Sequence, residues 1–225
     1  MTTNCINENE QIFIGKTAEF VKNKLCGEAT GHDWWHAYRV WQNAKHILKS
    51  EESADVLTVE LAALLHDISD WKFNNGDDSV GPKIAKDFLM SISVDEKTAQ
   101  HVSDIIATLS FKGANVKTPM KTIEGEIVQD SDRLDAIGAI GIARSFAYGA
   151  FAEQEMYNPE IKPNLHSSYE EYKNAKGTTV NHFYEKLLLL SERMNTQSAK
   201  NIAQKRHEFM QNYLEEFFNE WNGKS

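Results

Sequence analysis

Apolar residues recur every three to four positions along almost the whole of this 225-residue chain, and no stretch of strict alternation reads as a convincing strand. That spacing matches the 3.6-residue turn of an α-helix and conflicts with the two-residue repeat of a strand. Only 4 prolines and 12 glycines interrupt it, which leans away from a many-turned β architecture. The clearest stripe lies near the C-terminus. There Ile202, Phe209, Met210, Tyr213 and Phe217 fall on one face, and Lys205, Glu208, Gln211, Asn212, Glu215 and Glu216 lie off it. Further helices are expected over 11–25, 34–48, 54–67, 82–90, 96–110, 119–149 (continuous or broken) and 180–192. Thr118 and Pro119 read as an N-cap followed by proline at the first helical position. The expected fold is all-α.

Neither an internal repeat nor a low-complexity linker divides the sequence, so one domain over 1–225 is expected, with a core at about 30–150 and helices at 178–221 packed on it. Two polar stretches, 74–81 and 158–176, read as solvated connections or as borders of a site. With 41% hydrophobic and 25% charged residues the chain can bury enough apolar surface to fold. The net charge of -9 and pI near 5.4 disfavour a nucleic-acid binder, which needs a basic footprint. No run of eighteen or more apolar residues suggests a membrane span. The N-terminal residues do not read as a secretory signal. Cys5 and Cys26 supply neither a disulfide framework nor a metal ligand set. A reduced cytoplasmic protein is expected.

Chemistry is sought where polar groups interrupt an apolar stripe. Leu61 to Ile68 is the sharpest case: His66 and Asp67 end an apolar run, and Asp70 follows four residues after His66. Adjacent residues on a helix point about 100° apart, so His66 and Asp67 can share an ion near a helix end. Alternatively, His66 merely offsets a helix dipole. Gly31 to Val40 opens a helix and offers His32 and His36 four apart. Asp130, Asp132, Arg133 and Asp135 interrupt a third apolar stretch, and acids in such a place are costly unless paired or metal-bound. One histidine of the first segment, His66 and Asp67, and one aspartate of the third would form a mixed nitrogen and oxygen set, suited to Mn, Fe, Mg or Zn. Trp34, Trp35 and Trp41 read as core rather than as a stacking platform, and Asp130 as peripheral.

The order His36, His66-Asp67, Asp132 resembles the HD superfamily of metal-dependent phosphohydrolases, which are all-helical. Four segments carry the likeness further: His32 to Val40, Ala63 to Ile68, Gln129 to Arg144 and Asn181 to Leu187 are similar to the bacterial HD-domain nucleotide pyrophosphohydrolases. The resemblance implies a single HD-domain helical bundle with His36, His66, Asp67 and Asp132 as ligands of one divalent ion, Mn being favoured among Mn, Mg, Co, Fe, Ni and Zn. His32, Arg39 and Asp135 would support those ligands. His32 would instead cap its helix or touch substrate; Asp135 would pair with Arg133 or Arg39, or be a surface acid. Asp70 matches the position of a catalytic acid in related nucleotidases, acting on the attacking water. Lys72, Arg133, Arg144, His182 and Lys186 are candidates to hold phosphates, or are surface charges.

The function implied is hydrolysis of a small nucleotide by metal-activated water, splitting (deoxy)nucleoside triphosphates into monophosphate and diphosphate. The alternative is a nucleoside 5′-monophosphate phosphatase, or another phosphomonoesterase or phosphodiesterase of this type. Neither a membrane nor specific nucleic acid is expected as partner, and a homodimer is compatible with the reading. Two other classes compete: a zinc peptidase, because His32 and His36 carry the i, i+4 spacing with Asp33 in place of Glu, and a noncatalytic metal-bound sensor.

Overall fold

The computed structural model describes residues 6–27, 31–69, 79–166, 168, 170–171 and 177–224, and among these every regular element is helical. In chain order the α-helices are α1 (Glu8–Lys24), α2 (Trp34–Leu48), α3 (Val56–Leu65), α4 (Val80–Ser91), α5 (Glu96–Thr108), α6 (Ile123–Asp135), α7 (Gly138–Phe151), α8 (Thr179–Glu185) and α9 (Gln197–Trp221). Two short 3₁₀ turns, Leu187–Leu189 and Ser191–Arg193, lie between α8 and α9. No described helix is long and apolar enough to cross a membrane.

Local chemistry sets where many of these helices begin. Asn7 and Glu10 form a reciprocal capping box at α1. Asp33, Asp55, Asp95, Thr178 and Thr196 cap α2, α3, α5, α8 and α9, each side chain accepting the backbone N–H three residues on. Thr118 does not start a helix. It lies in an irregular stretch, where its carbonyl accepts from Gln129 Nε2 at 3.0 Å, and α6 begins only at Ile123. The expected helix over 119–149 breaks after Asp135, where Gly138 adopts φ +76°, a conformation that glycine tolerates without penalty. The expected helix over 180–192 stops at Glu185, because Lys186 leaves helical geometry at φ −141°.

The chain divides into two compact units. The first comprises Met1–Phe111 and Thr118–Asp132, the second Lys112–Lys117 and Arg133–Ser225. In the first, α3 packs against α1, α2 and α5, and α4 against α5. Every residue of α3 from Leu57 to Leu65 is buried. Such an all-round apolar helix is an interior element, and whatever follows it starts inside the protein. Its one acid, Glu60, accepts from Trp41 Nε1 at 2.7 Å. Trp35, in contrast, is 59% exposed rather than part of the core.

In the second unit α7 packs against α8 and α9. Phe146, Phe183 and Tyr213 meet with ring centroids about 6 Å apart. The buried stripe of α9 is Ala199, Ala203, Met210 and Leu214, rotated from the expected one, so that Phe209 is exposed. Arg193 clamps the 112–117 segment by donating to the carbonyls of Gly113, Ala114 and Val116.

Candidate metal centre

His66 and Asp67 follow immediately on the buried helix α3, which ends at Leu65 with His66 as its C-cap. Burial of the preceding turns places the His66 ring inside the first unit, with its side chain only 2% exposed. Its Nδ1–H donates to the Ala63 carbonyl at 2.8 Å. That bond fixes the tautomer, so Nε2 carries a lone pair directed away from α3. Burial lowers the His66 pKa from its ordinary 6.5, against the opposing influence of Asp67. The neutral, ligating form is thereby favoured.

His36 approaches from α2, with its side chain 1% exposed. Its Nε2 stands 3.0 Å from His66 Nε2. Asp67 Oδ2 lies 3.4 Å from His36 Nε2 and 4.0 Å from His66 Nε2. Asp132, from the last turn of α6, brings Oδ1 to 3.5 Å from His36 Nε2 and 3.8 Å from His66 Nε2. Asn43, on the same face of α2 as His36, donates to the Ser131 carbonyl at 3.2 Å and ties α2 to α6 beside Asp132. That contribution was missed in the sequence, where the only signal was a polar residue seven positions after His36.

A divalent ion with ligands at ~2.1 Å holds neighbouring ligand atoms ~3.0 Å apart in octahedral and ~3.4 Å apart in tetrahedral coordination. The two imidazole nitrogens lie 3.0 Å from each other and 3.4 to 4.0 Å from each of the two carboxylates, separations of that order. Two buried imidazoles lie deep, and two carboxylates, 21% and 35% exposed, lie toward solvent. The donor set therefore fits a borderline or hard divalent ion with coordination positions left on the solvent side. Burial pushes the Asp67 pKa up, but His32, His36 and His66 together more than offset it, and the carboxyl ends well below its ordinary 3.8. Asp67 is ionised and ready to ligate.

His32 is neither on the helix nor its cap. It precedes Asp33, which is the N-cap and accepts the His36 N–H at 2.9 Å. Its Nδ1 contacts Asp67 Oδ2. The pairing of His32 and His36 on one helical face, which the peptidase reading requires, is thus absent, and Asp33 serves as a cap rather than a base.

The other anticipated residues have these surroundings. Asp130 is fully buried. Asp135 accepts from Arg144 at 2.8 Å within the second unit. Arg133 donates to the Arg193 carbonyl. His182 and Lys186 are half-buried at α8 and just after it, and Arg39 is half-buried on α2. Asp70 and Lys72 lie outside the described residues.

Comparison with known proteins identifies the family. The HD domain family matches residues 34–137, which contain His36, His66, Asp67 and Asp132. The protein YpgQ of Bacillus subtilis is 38% identical over 199 residues, 87% of each chain. A crystal structure of YpgQ in complex with ADP superposes with a TM-score of 0.74, covering 94% of this chain and 96% of that one. An HD-superfamily hydrolase from Bacillus thuringiensis is 42% identical, with a TM-score of 0.72 over 95% of this chain and 98% of its own. A Lactobacillus plantarum protein reaches a TM-score of 0.83 at 32% identity, over 97% and 100%. With such identity sustained over nearly the whole chain, and the metal-capable cluster lying inside the matched segment, this protein belongs to the HD-superfamily hydrolases, a metal-binding helical fold.

Proposed function

We propose that this hydrolase is a divalent-metal-dependent phosphohydrolase acting on nucleotides, splitting (deoxy)nucleoside triphosphates into monophosphate and diphosphate. The observation that carries the metal dependence is the convergence of His36 and His66 with Asp67 and Asp132, both carboxylates lying within 4.0 Å of both imidazole nitrogens. Support for a nucleotide substrate comes from the relative YpgQ, which was crystallised with ADP. A bound divalent ion would supply neutralisation of phosphate charge and a more acidic water.

The chain's own residues supply the rest. His36 and His66 are buried and would offer imidazole nitrogens to the ion. Asp67 and Asp132, the more exposed pair, would offset its charge. Asp70 is proposed to orient the attacking water and accept its proton, on the resemblance alone. Lys72, Arg133, Arg144, His182 and Lys186 remain candidates for holding phosphate; Arg144 and Arg133 already bind Asp135 and the Arg193 carbonyl. Mn is the proposed ion, and the cytoplasm the proposed location. A homodimer is compatible with the same proposal, which includes no membrane or nucleic-acid partner.

The test is a panel of nucleoside mono-, di- and triphosphates with Mn, Mg, Co and Zn, resolving orthophosphate from diphosphate by chromatography. Monophosphate plus diphosphate from a triphosphate is the expected result. Orthophosphate and free nucleoside as the sole products would replace it with the phosphomonoesterase reading, and no turnover despite bound metal with the sensor reading.

A further inference from the structure

Asp67 differs from the other three members of the cluster in what holds it. His36 and Asp132 lie on regular helix and His66 is anchored to the Ala63 carbonyl, whereas Asp67 lies in a turn beyond the end of α3. A carboxylate there keeps rotamer freedom that a ligand must give up. We infer that His32 is a positioning residue for Asp67, its Nδ1–H donating to the carboxylate and holding it toward His36, His66 and Asp132. The inference rests on the metal reading of the cluster.

The proton's place follows from the partners. An ionised carboxylate only accepts hydrogen bonds, so the contact between His32 Nδ1 and Asp67 Oδ2 places the hydrogen on Nδ1. A ring nitrogen that carries a proton has no lone pair for a metal. His32 also lies close enough to His36 and Asp67 to be the alternative nitrogen ligand, and the Co spectrum below distinguishes the two roles.

His32 is itself held by the chain around it. Gly31 adopts φ +90°, turning the backbone immediately before His32 in a way that L side chains resist. Asp33 then caps α2 and fixes the backbone immediately after. The His32 ring stands edge-on to His36, with centroids 5.6 Å apart at 79°. Glycine turn, cap and ring contact together aim one imidazole at a carboxylate 35 residues away in sequence.

Hydrogen bonds to a ligating side chain characteristically change metal affinity by 10–100-fold. The experiment compares the wild type with His32→Ala, His32→Phe and His32→Asn in the full chain. Mn affinity is measured by calorimetry and the Co coordination spectrum by visible absorption. His32→Ala and His32→Phe should bind one Mn per chain with affinity lowered about 10–100-fold. His32→Asn, whose amide nitrogen replaces Nδ1 as a donor, should recover most of the loss, with a wild-type Co spectrum. Far-UV circular dichroism checks folding, and His32→Phe keeps the ring volume should the alanine variant fail to fold. Unchanged Mn affinity in both donor-free variants overturns the inference while leaving the metal centre intact. A Co spectrum altered in His32→Asn overturns it by making His32 a ligand. A wild type that binds no divalent ion removes the metal reading and this inference with it.

Discussion

Adding a divalent ion to the chelator-stripped protein should raise its unfolding temperature, by an amount that follows from the centre's geometry. The His36 and His66 nitrogens already stand 3.0 Å apart and within 4.0 Å of both carboxylates, so the folded protein need rearrange little to bind. The unfolded chain holds no such assembly, since the residues are scattered from 36 to 132 in sequence. Binding to the folded state alone adds RT ln(1 + [L]/Kd), about 2.7 kcal/mol at 100 times Kd. For a chain of this size each kcal/mol moves the midpoint by roughly 2–4 °C, so the expected rise is about 5–11 °C. The assay is thermal denaturation followed at 222 nm with increasing Mn, alongside a calorimetric Kd for the same preparation. His66→Ala removes a buried nitrogen ligand and should abolish the rise, whatever it does to the stripped protein. A full rise retained in His66→Ala, or no rise with millimolar Mn, Mg, Co or Zn, would refute the assignment of this cluster as the metal centre.

The ion pair in the second unit predicts a stability loss with no loss of metal. Asp135→Ala leaves the guanidinium of Arg144, only 20% exposed, without its carboxylate, and should cost about 3–5 kcal/mol while one ion per chain is still bound. Additive losses from Asp135→Ala and Arg144→Met in a double-mutant cycle would show that the pair contributes nothing. Acid should destabilise the stripped protein through His66 first. Its folded pKa lies below 6.5, so the unfolded chain takes up more protons, and stability present above about pH 6.5 drains away as pH falls from there. Asp67, held below 3.8, adds a second loss below about pH 3.8. A melting midpoint that stays flat or rises between pH 7.5 and 5.5 contradicts the His66 part. Asp70→Asn should lower kcat by about 10²–10⁴ with Mn affinity near wild type, and turnover within a few-fold of wild type removes Asp70 from the mechanism. Gly149→Ala should destabilise the second unit, because its Cβ would lie 2.1 Å from Thr179 Oγ1; an unchanged melting midpoint would show that the buried hydroxyl moves aside freely.

By itself the sequence determined the helical class and most helix beginnings. Both depend on neighbours a few residues apart: a 3.6-residue stripe, and a side-chain oxygen such as that of Asp33, Asp55 or Asp95 three positions before an N–H. His66 and Asp67 were conspicuous for a related reason, as polar groups closing an apolar run that had to be buried. The precise end of α3 at Leu65, the exposure of Trp35 and the pairing of Asp135 with Arg144 were decided by tertiary structure. A helix stops where packing and competing hydrogen bonds outweigh its weak local propensity, and propensity differences among ordinary residues are under about 1 kcal/mol. The contact between His32 and Asp67 spans 35 residues, and that between His36 and His66 spans 30. No periodicity within either segment encodes such a contact, because it comes into being only when α2 packs against the buried α3 and brings the two segments together.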